Sequence, residues 1–365
     1  AVVFDRTVQA RWVPLGSEKQ CNRLGLLQRS LRERAEVLRQ GKGKGGMPML
    51  PLLQDLYRDF WKPIAEVLPK GTREVVVCPE GMLHLLPWSV LCNRKNGAFL
   101  CQELPQLTVL DSGRRLLRPT VPPVALSKPW LVFGISDFSR QRTTIAGGDL
   151  LWSNSLRSLD DLASVKSELA SLQEIAPKGS SIFLNGKATQ KSLLEIATPP
   201  AVLHLASHGF HHRLDSDEEL APFYESGIVM GMTQEEDDFL LFTDEVASLN
   251  LEGTRLVTLS TCRSASGRPV PGEGIMGLGR GFIKAGARHI LASLWEIPDE
   301  STAEFMKEFY QRLQSGNEKP SSLLWQMQRE AFSKREGNVG KMETMILSYG
   351  GFSINSSDVA SSPGR

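Results

Sequence analysis

From residue 130 onward, short apolar runs alternate with segments of helical period. WLVFGI (130–135), SIFL (181–184), AVLHLAS (201–207), GIVM (227–230), RLVTLST (255–261) and HILASLW (289–295) are too short and too β-branched for helices and read as buried strands. Between them, residues 157–175, 188–197, 274–286, 300–315 and 320–334 repeat apolar positions at three- and four-residue spacing and read as helices. Strands that take turns with helices form a mainly parallel sheet flanked by helices, because each crossover needs an element long enough to return the chain to the same edge. The expected fold class is therefore α/β, with a smaller α/β part before residue 126.

That N-terminal part is less regular. Residues 1–15 alternate apolar and polar side chains as a β-ribbon, 20–40 carry leucines at helical spacing among many charges, and GKGKGG (41–46) breaks the pattern. A second helix is expected over 48–68, opened by Pro48, and EVVVC (74–78) is a short strand whose Cys78 reads as core. The Arg- and Pro-rich stretch 112–128 suggests a boundary, giving units 1–125 and 126–354 and a disordered tail 355–365 (NSSDVASSPGR). The chain opens on Ala1-Val2-Val3-Phe4 without a methionine and reads as a piece of something longer.

Composition narrows the functional classes. The 365 residues are 41% hydrophobic and 23% charged, so a core can form. Forty-two basic against 41 acidic residues leave a net charge of +1, which does not indicate direct nucleic-acid binding. No run of eighteen apolar residues suggests a membrane span. Five cysteines at wide spacings, with no C-x-x-C, point to reduced thiols and a cytoplasmic setting.

Chemistry concentrates where strands end. VLHLASHGF (202–210) runs as a strand into a polar loop at His208-Gly209, and RLVTLSTCRS (255–264) does the same at Cys262. Functional groups in open parallel sheets gather at the carboxyl ends of strands, so His208 should sit at a rim. Alone, either residue is as well read as structural, a capped surface histidine or a buried thiol. Together they form a nucleophile with a base, since a thiol attacks as thiolate and needs a histidine or cation beside it. The backbone N–H groups of Gly209 and Cys262 are then candidates for an oxyanion site, with Gly209 sparing room for an approaching peptide.

Three other patterns compete. GEGIMG (272–277) matches G-x-G-x-x-G, but ten residues with Pro269 and Pro271 separate it from the preceding strand, so the phosphate-cradling turn is missing. His204, His208, His211 and His212 cluster without the glutamate of H-E-x-x-H and on a strand rather than a helix, so no metal or other cofactor is expected; His204 reads as a packed supporting histidine. In ASLWEIPDE (292–300), Asp299 or Glu300 serves either as a helix cap or, with Trp295 and Glu296, as an acidic pocket wall for a basic substrate side chain.

HLASHGF (204–210), LSTCRS (259–264), GEGIMGLGRGFIKAGA (272–287) and ASLWEIPD (292–299) together resemble the CHAT family, caspase-like peptidase domains related to separases and often attached to tetratricopeptide repeats. The resemblance is strong over 202–316 and weaker through WLVFGISDF (130–138), SLDDLASVKSEL (158–169) and PEGMLHLLPWSVL (79–91). It implies a caspase-like α/β fold and a cysteine endopeptidase, with His208 at the catalytic histidine and Cys262 at the nucleophile. Related separases carry a Trp-Asp-Val-x-Asp stretch whose acid helps bind a basic P1 residue; here Glu296 keeps the first acid, Ile297 and Pro298 depart, and Asp299 is retained. The family often has Ser-Ala-Cys where this chain has Ser260-Thr261-Cys262. The implied partners are a protein substrate and a regulatory partner or an absent N-terminal repeat domain. The other reading is a catalytically silent signalling or scaffold module on the same fold.

Overall fold

VLHLA (202–206) and LVTLS (256–260) are buried along their whole length, which is possible only for strands covered on both faces. A computed structural model of the chain describes residues 1–4, 10–15, 18–40, 48–79, 81–110, 121–147, 159–211, 226–233, 238–261, 264–265, 274–295, 297, 299–316, 318–333 and 339–357.

In chain order the strands are β1 Val2–Phe4, β2 Ala10–Trp12, β3 Glu74–Val77, β4 Gln106–Leu110, β5 Leu131–Gly134, β6 Ser181–Leu184, β7 Val202–Ala206, β8 Gly209–His211, β9 Ser226–Val229, β10 Leu240–Phe242, β11 Leu256–Ser260, β12 Ser264–Ala265, β13 His289–Ser293 and β14 Phe352–Ser356. The helices are α1 Glu18–Gln40, α2 Met49–Leu56, α3 Lys62–Ala65, α4 Leu100–Glu103, α5 Ser139–Gly147, α6 Ser164–Ile175, α7 Gln190–Leu194, α8 Thr243–Val246, α9 Gly274–Lys284, α10 Asp299–Ser315, α11 Pro320–Ser333 and α12 Val339–Ser348. A π-helical stretch, Tyr57–Trp61, joins α2 to α3, so the single helix expected over 48–68 is realised in three parts.

Eight strands form one sheet in the order β3-β4-β14-β13-β11-β7-β5-β6. Every neighbouring pair is parallel except β13–β14. The expected α/β fold with a mainly parallel sheet flanked by helices is what the chain adopts. Helices α6 and α10 pack on each other, with α6 against β5 and α10 against α11, which covers β4 and β14. The residue-125 boundary falls between β4 and β5 of this one sheet. The cross-links there are specific: Trp325 donates its indole N–H to the Leu104 carbonyl at 2.9 Å, and Arg329 reaches the Cys101 carbonyl at 2.8 Å.

Two expectations change. Strand β14 occupies residues 355–356 of the expected tail; residues 358–365 lie outside the described part. Cys78 is exposed rather than core, because it follows β3, which among the described residues is an end strand of the sheet. Among the described residues, no helix is long and apolar enough to cross a membrane.

A second sheet, β10-β9-β8-β12, leaves the first at the ends of β7 and β11. Its pairs are antiparallel except β8–β12.

One buried base couples the sheet to pH. His289 opens β13, is wholly buried, and meets the Ser356 hydroxyl at 2.9 Å. Burial, with Arg288, Lys319 and Arg255 nearby, pushes its pKa down to about 3 from the ordinary 6.5. The folded state keeps it neutral while the unfolded chain protonates it. Its contribution is therefore complete above pH 6.5 and is lost as pH falls towards 3, by at most about 1.4 kcal/mol per pH unit. Urea midpoints between pH 7.5 and 5 should fall more steeply for the wild type than for His289→Gln. Parallel slopes would contradict this assignment.

Candidate functional site

The two strand ends singled out by the sequence lie side by side. β7 and β11 are parallel neighbours in a register that pairs Ala206 with Ser260. Both segments then leave the large sheet and pair again in the small one, where Gly209 stands opposite Ser264. Two residues on one strand, Ser207 and His208, and three on the other, 261–263, span the gap between these pairings. Of those three, Thr261 is described and buried; Cys262 and Arg263 lie outside the described residues. A Cβ placed on Gly209 would stand 3.8 Å from the Thr261 Cβ, so the backbone after His208 and the residue before position 262 are in contact range.

β7 ends because its next groups turn to other partners. The Ser207 hydroxyl bonds the Val229 carbonyl, and the Val229 N–H donates to the His208 carbonyl at 2.8 Å, which starts the second sheet. His208 is thus at a strand's carboxyl end as expected, but it is covered, not rim-exposed: only 1% of it is accessible. The Phe138 ring lies against its imidazole, centroids 4.6 Å apart. Its Nε2 is 2.7 Å from the Asp160 carbonyl oxygen. A carbonyl only accepts, so Nε2 carries a proton, and Nδ1 is the nitrogen that can take up and return another.

Loops after β5 and before α6 hold both of these neighbours. Asn185, in the left-handed region at φ 51°, accepts the N–H groups of Ser136 at 2.8 Å and Asp137 at 3.3 Å, fixing the turn that delivers Phe138. The Asp161 carboxylate accepts the Phe138 N–H at 3.1 Å and Arg142 Nη1 at 2.8 Å, while Arg142 also reaches the Leu159 carbonyl at 2.7 Å. The guanidinium, more than the amide, holds the Asp161 carboxyl below its ordinary range. This clasp flanks the Asp160 carbonyl on both sides. Nothing in the side-chain sequence announces a backbone carbonyl as a partner; Phe138, by contrast, follows the same strand-end rule that found His208.

The other expected residues are described only in part. Trp295 is buried, and its indole N–H donates to the Leu347 carbonyl at 2.9 Å, so its ring is held in the core against α12. Glu296 lies outside the described residues, and Asp299 is the first residue of α10, its side chain not described. His204 is wholly buried, with Nδ1 3.0 Å from the Tyr310 hydroxyl and Nε2 3.1 Å from Glu168 Oε1. Among the described residues no group of three or more metal-ligating side chains occurs. Gly272 and Glu273 of the glycine-rich stretch are not described, and Gly274 opens α9.

Comparison with known proteins gives three kinds of likeness. Tetratricopeptide repeat protein 28 of Mus musculus is 35% identical over 86 residues, and its Homo sapiens counterpart is 31% identical over 86; each alignment covers 24% of this chain and 3% of the relative. The chain therefore spans a very small share of the curated relatives it matches. Among solved structures, a Saccharomyces cerevisiae separase–securin complex aligns with 97% of this chain and 22% of that chain at 14% identity and TM-score 0.44. The Arg-specific cysteine proteinase gingipain R aligns with 91% of this chain and 73% of that chain at 10% identity and TM-score 0.42. The CHAT domain family matches residues 50–348. Since that match takes in most of the large sheet together with both strand ends that carry the site, the chain belongs to the CHAT domain family.

Proposed function

We propose that the chain is a cysteine endopeptidase that works through Cys262 and His208. The observation that carries this reading is the double register: Ala206 with Ser260 below the gap and Gly209 with Ser264 above it, with His208 and position 262 between. Membership of a protease-like family supports the same chemistry.

In the proposed reaction the Cys262 thiolate attacks the scissile carbonyl carbon, forming a C–S bond. The Gly209 and Cys262 amides receive the oxyanion. His208, protonated on both nitrogens beside a thiolate, gives its Nδ1 proton to the departing amine as the C–N bond breaks. Water, losing a proton to the same nitrogen, then attacks the thioester carbonyl; the C–S bond breaks, the acid product leaves, and the thiolate–imidazolium pair is restored. The Asp160 carbonyl holds Nε2–H throughout and so keeps Nδ1 the active nitrogen. We place a basic residue at P1, received by Asp299 and Glu296. We also read the chain as a regulated cytoplasmic effector that depends on a protein partner or a repeat domain. The near-complete cover over His208 is the observation that favours regulation.

The test is cleavage of a positional-scanning peptide library by wild type and Cys262→Ala. Arg or Lys at P1 should be preferred, and the alanine variant should cleave nothing. Preference for Asp or apolar P1 would remove the acidic-pocket assignment, and cleavage by the variant would remove the peptidase. A protein that leaves every peptide intact, with or without a tetratricopeptide-repeat partner, would be the silent scaffold.

A further inference from the structure

Directly beneath the paired strand ends, the core is polar. Glu168 on α6, His204 on β7, Thr258 and Ser260 on β11 and Tyr310 on α10 are all buried, none more than 5% accessible. The Tyr310 hydroxyl donates to Thr258 Oγ1 at 2.6 Å, so it receives the His204 Nδ1–H at 3.0 Å. The Ser260 hydroxyl donates to Glu168 Oε2 at 3.2 Å. The remaining pair, His204 Nε2 and Glu168 Oε1, stands 3.1 Å apart, as a charge contact rather than an aligned hydrogen bond.

A buried cluster of polar side chains contributes little stability compared with apolar side chains of the same shape, so its chemistry points elsewhere. Two groups of this cluster touch both strands, Tyr310 from α10 through Thr258 and His204, and Glu168 from α6 through Ser260 and His204, with Ser260, on the Glu168 side, nearer the strand end than Thr258. His204 is four residues before His208 and Ser260 two before position 262, so both links of Glu168 attach to the strands within four residues of the pair. The loop leading into α6 also supplies the Asp160 carbonyl that holds His208. One helix thus ties β7, β11 and the imidazole to a common frame.

We propose that Glu168 is the positioning residue that sets the separation of His208 and Cys262, by clamping His204 of β7 and Ser260 of β11 to α6. This rests on the cysteine-peptidase reading above. The experiment is the rate of Cys262 alkylation by iodoacetamide in the full chain, followed by mass spectrometry from pH 5 to 10, with exposed Cys78 as the internal standard. In Glu168→Gln, Cys262 should react about tenfold more slowly at pH 7, and its midpoint should move up towards that of an ordinary thiol, about 8.5. Ser260→Ala should move both readouts the same way by about threefold in rate, and the double variant should be no slower than Glu168→Gln, because both remove one link. A purely structural role would lower the melting temperature without moving the midpoint. A folded Glu168→Gln or Ser260→Ala with the wild-type rate and midpoint would overturn the proposal, and Ser260→Ala decides alone if the other does not melt cooperatively. Wild-type Cys262 reacting no faster than Cys78 would instead overturn the peptidase reading, and the positioning role with it.

Discussion

Replacing Cys262 with alanine is expected to lower the cleavage rate of a P1-Arg peptide roughly 10⁴-fold or more, with no loss of cooperative melting. The size follows from the role. Without the sulfur no acyl-enzyme forms, and only the oxyanion donors and binding contacts remain to assist water. His208→Ala should cost about as much, because a thiol without its base is mostly protonated at neutral pH. The double variant should be no worse than either, since both disable one step. The stabilities should differ. Cys262→Ala deletes one atom, whereas His208→Ala removes a buried ring from the face of Phe138 and from the Asp160 carbonyl, and should destabilise by about 2–4 kcal/mol. Peptide turnover and a urea melt on the three variants check both halves. Additive losses in the double variant would mean that the two residues do not act as a unit.

How much of this was visible in the sequence depended on whether side chains or backbone carried the information. Strands β5, β7, β11 and β13 were legible because both their faces are covered and their runs are mostly apolar, and β6, half-buried at the end of the sheet, because SIFL is itself a short apolar run. β14 was not, since FSINS carries Ser353, Asn355 and Ser356 where an inner strand usually shows aliphatic residues. Its polar groups are absorbed locally, as with the Ser356 hydroxyl on His289. β4, QLTVL, was hidden by the Arg- and Pro-rich stretch that follows it, which drew attention to a boundary. In the site, His208 was found from the strand-end rule, but its cover was not, because an Asp160 carbonyl and an Asn185-held turn leave no pattern of residue types. Trp295 was read from a tryptophan at a strand end beside acids; what that pattern did not announce is that its indole N–H binds the Leu347 carbonyl of α12.

Two glycines on paired strands should behave in opposite ways. Gly209 of β8 stands opposite Ile228 of β9, and its neighbour Phe210 stands opposite Gly227. A Cβ on Gly227 would fall 2.2 Å from the Leu241 carbonyl oxygen and 2.6 Å from the Phe210 ring. Backbone lies on one side and a ring wedged edge-on against Phe242 on the other, so neither neighbour can yield without parting the strands. Gly227→Ala should therefore destabilise by about 3 kcal/mol. It should also slow cleavage by two orders of magnitude or more, because β8 begins at the residue after His208 and pairs with β12 beyond position 262. At Gly209 the nearest atoms to an added Cβ are 3.7 Å away or farther, ordinary contacts, so Gly209→Ala should fold with unchanged stability. If it nonetheless loses peptide cleavage, the methyl is crowding the bound peptide and not the protein, which is what an oxyanion position requires. Full activity in Gly209→Ala would take that residue out of the reaction, and full activity in Gly227→Ala would show that the small sheet does not hold the site in place.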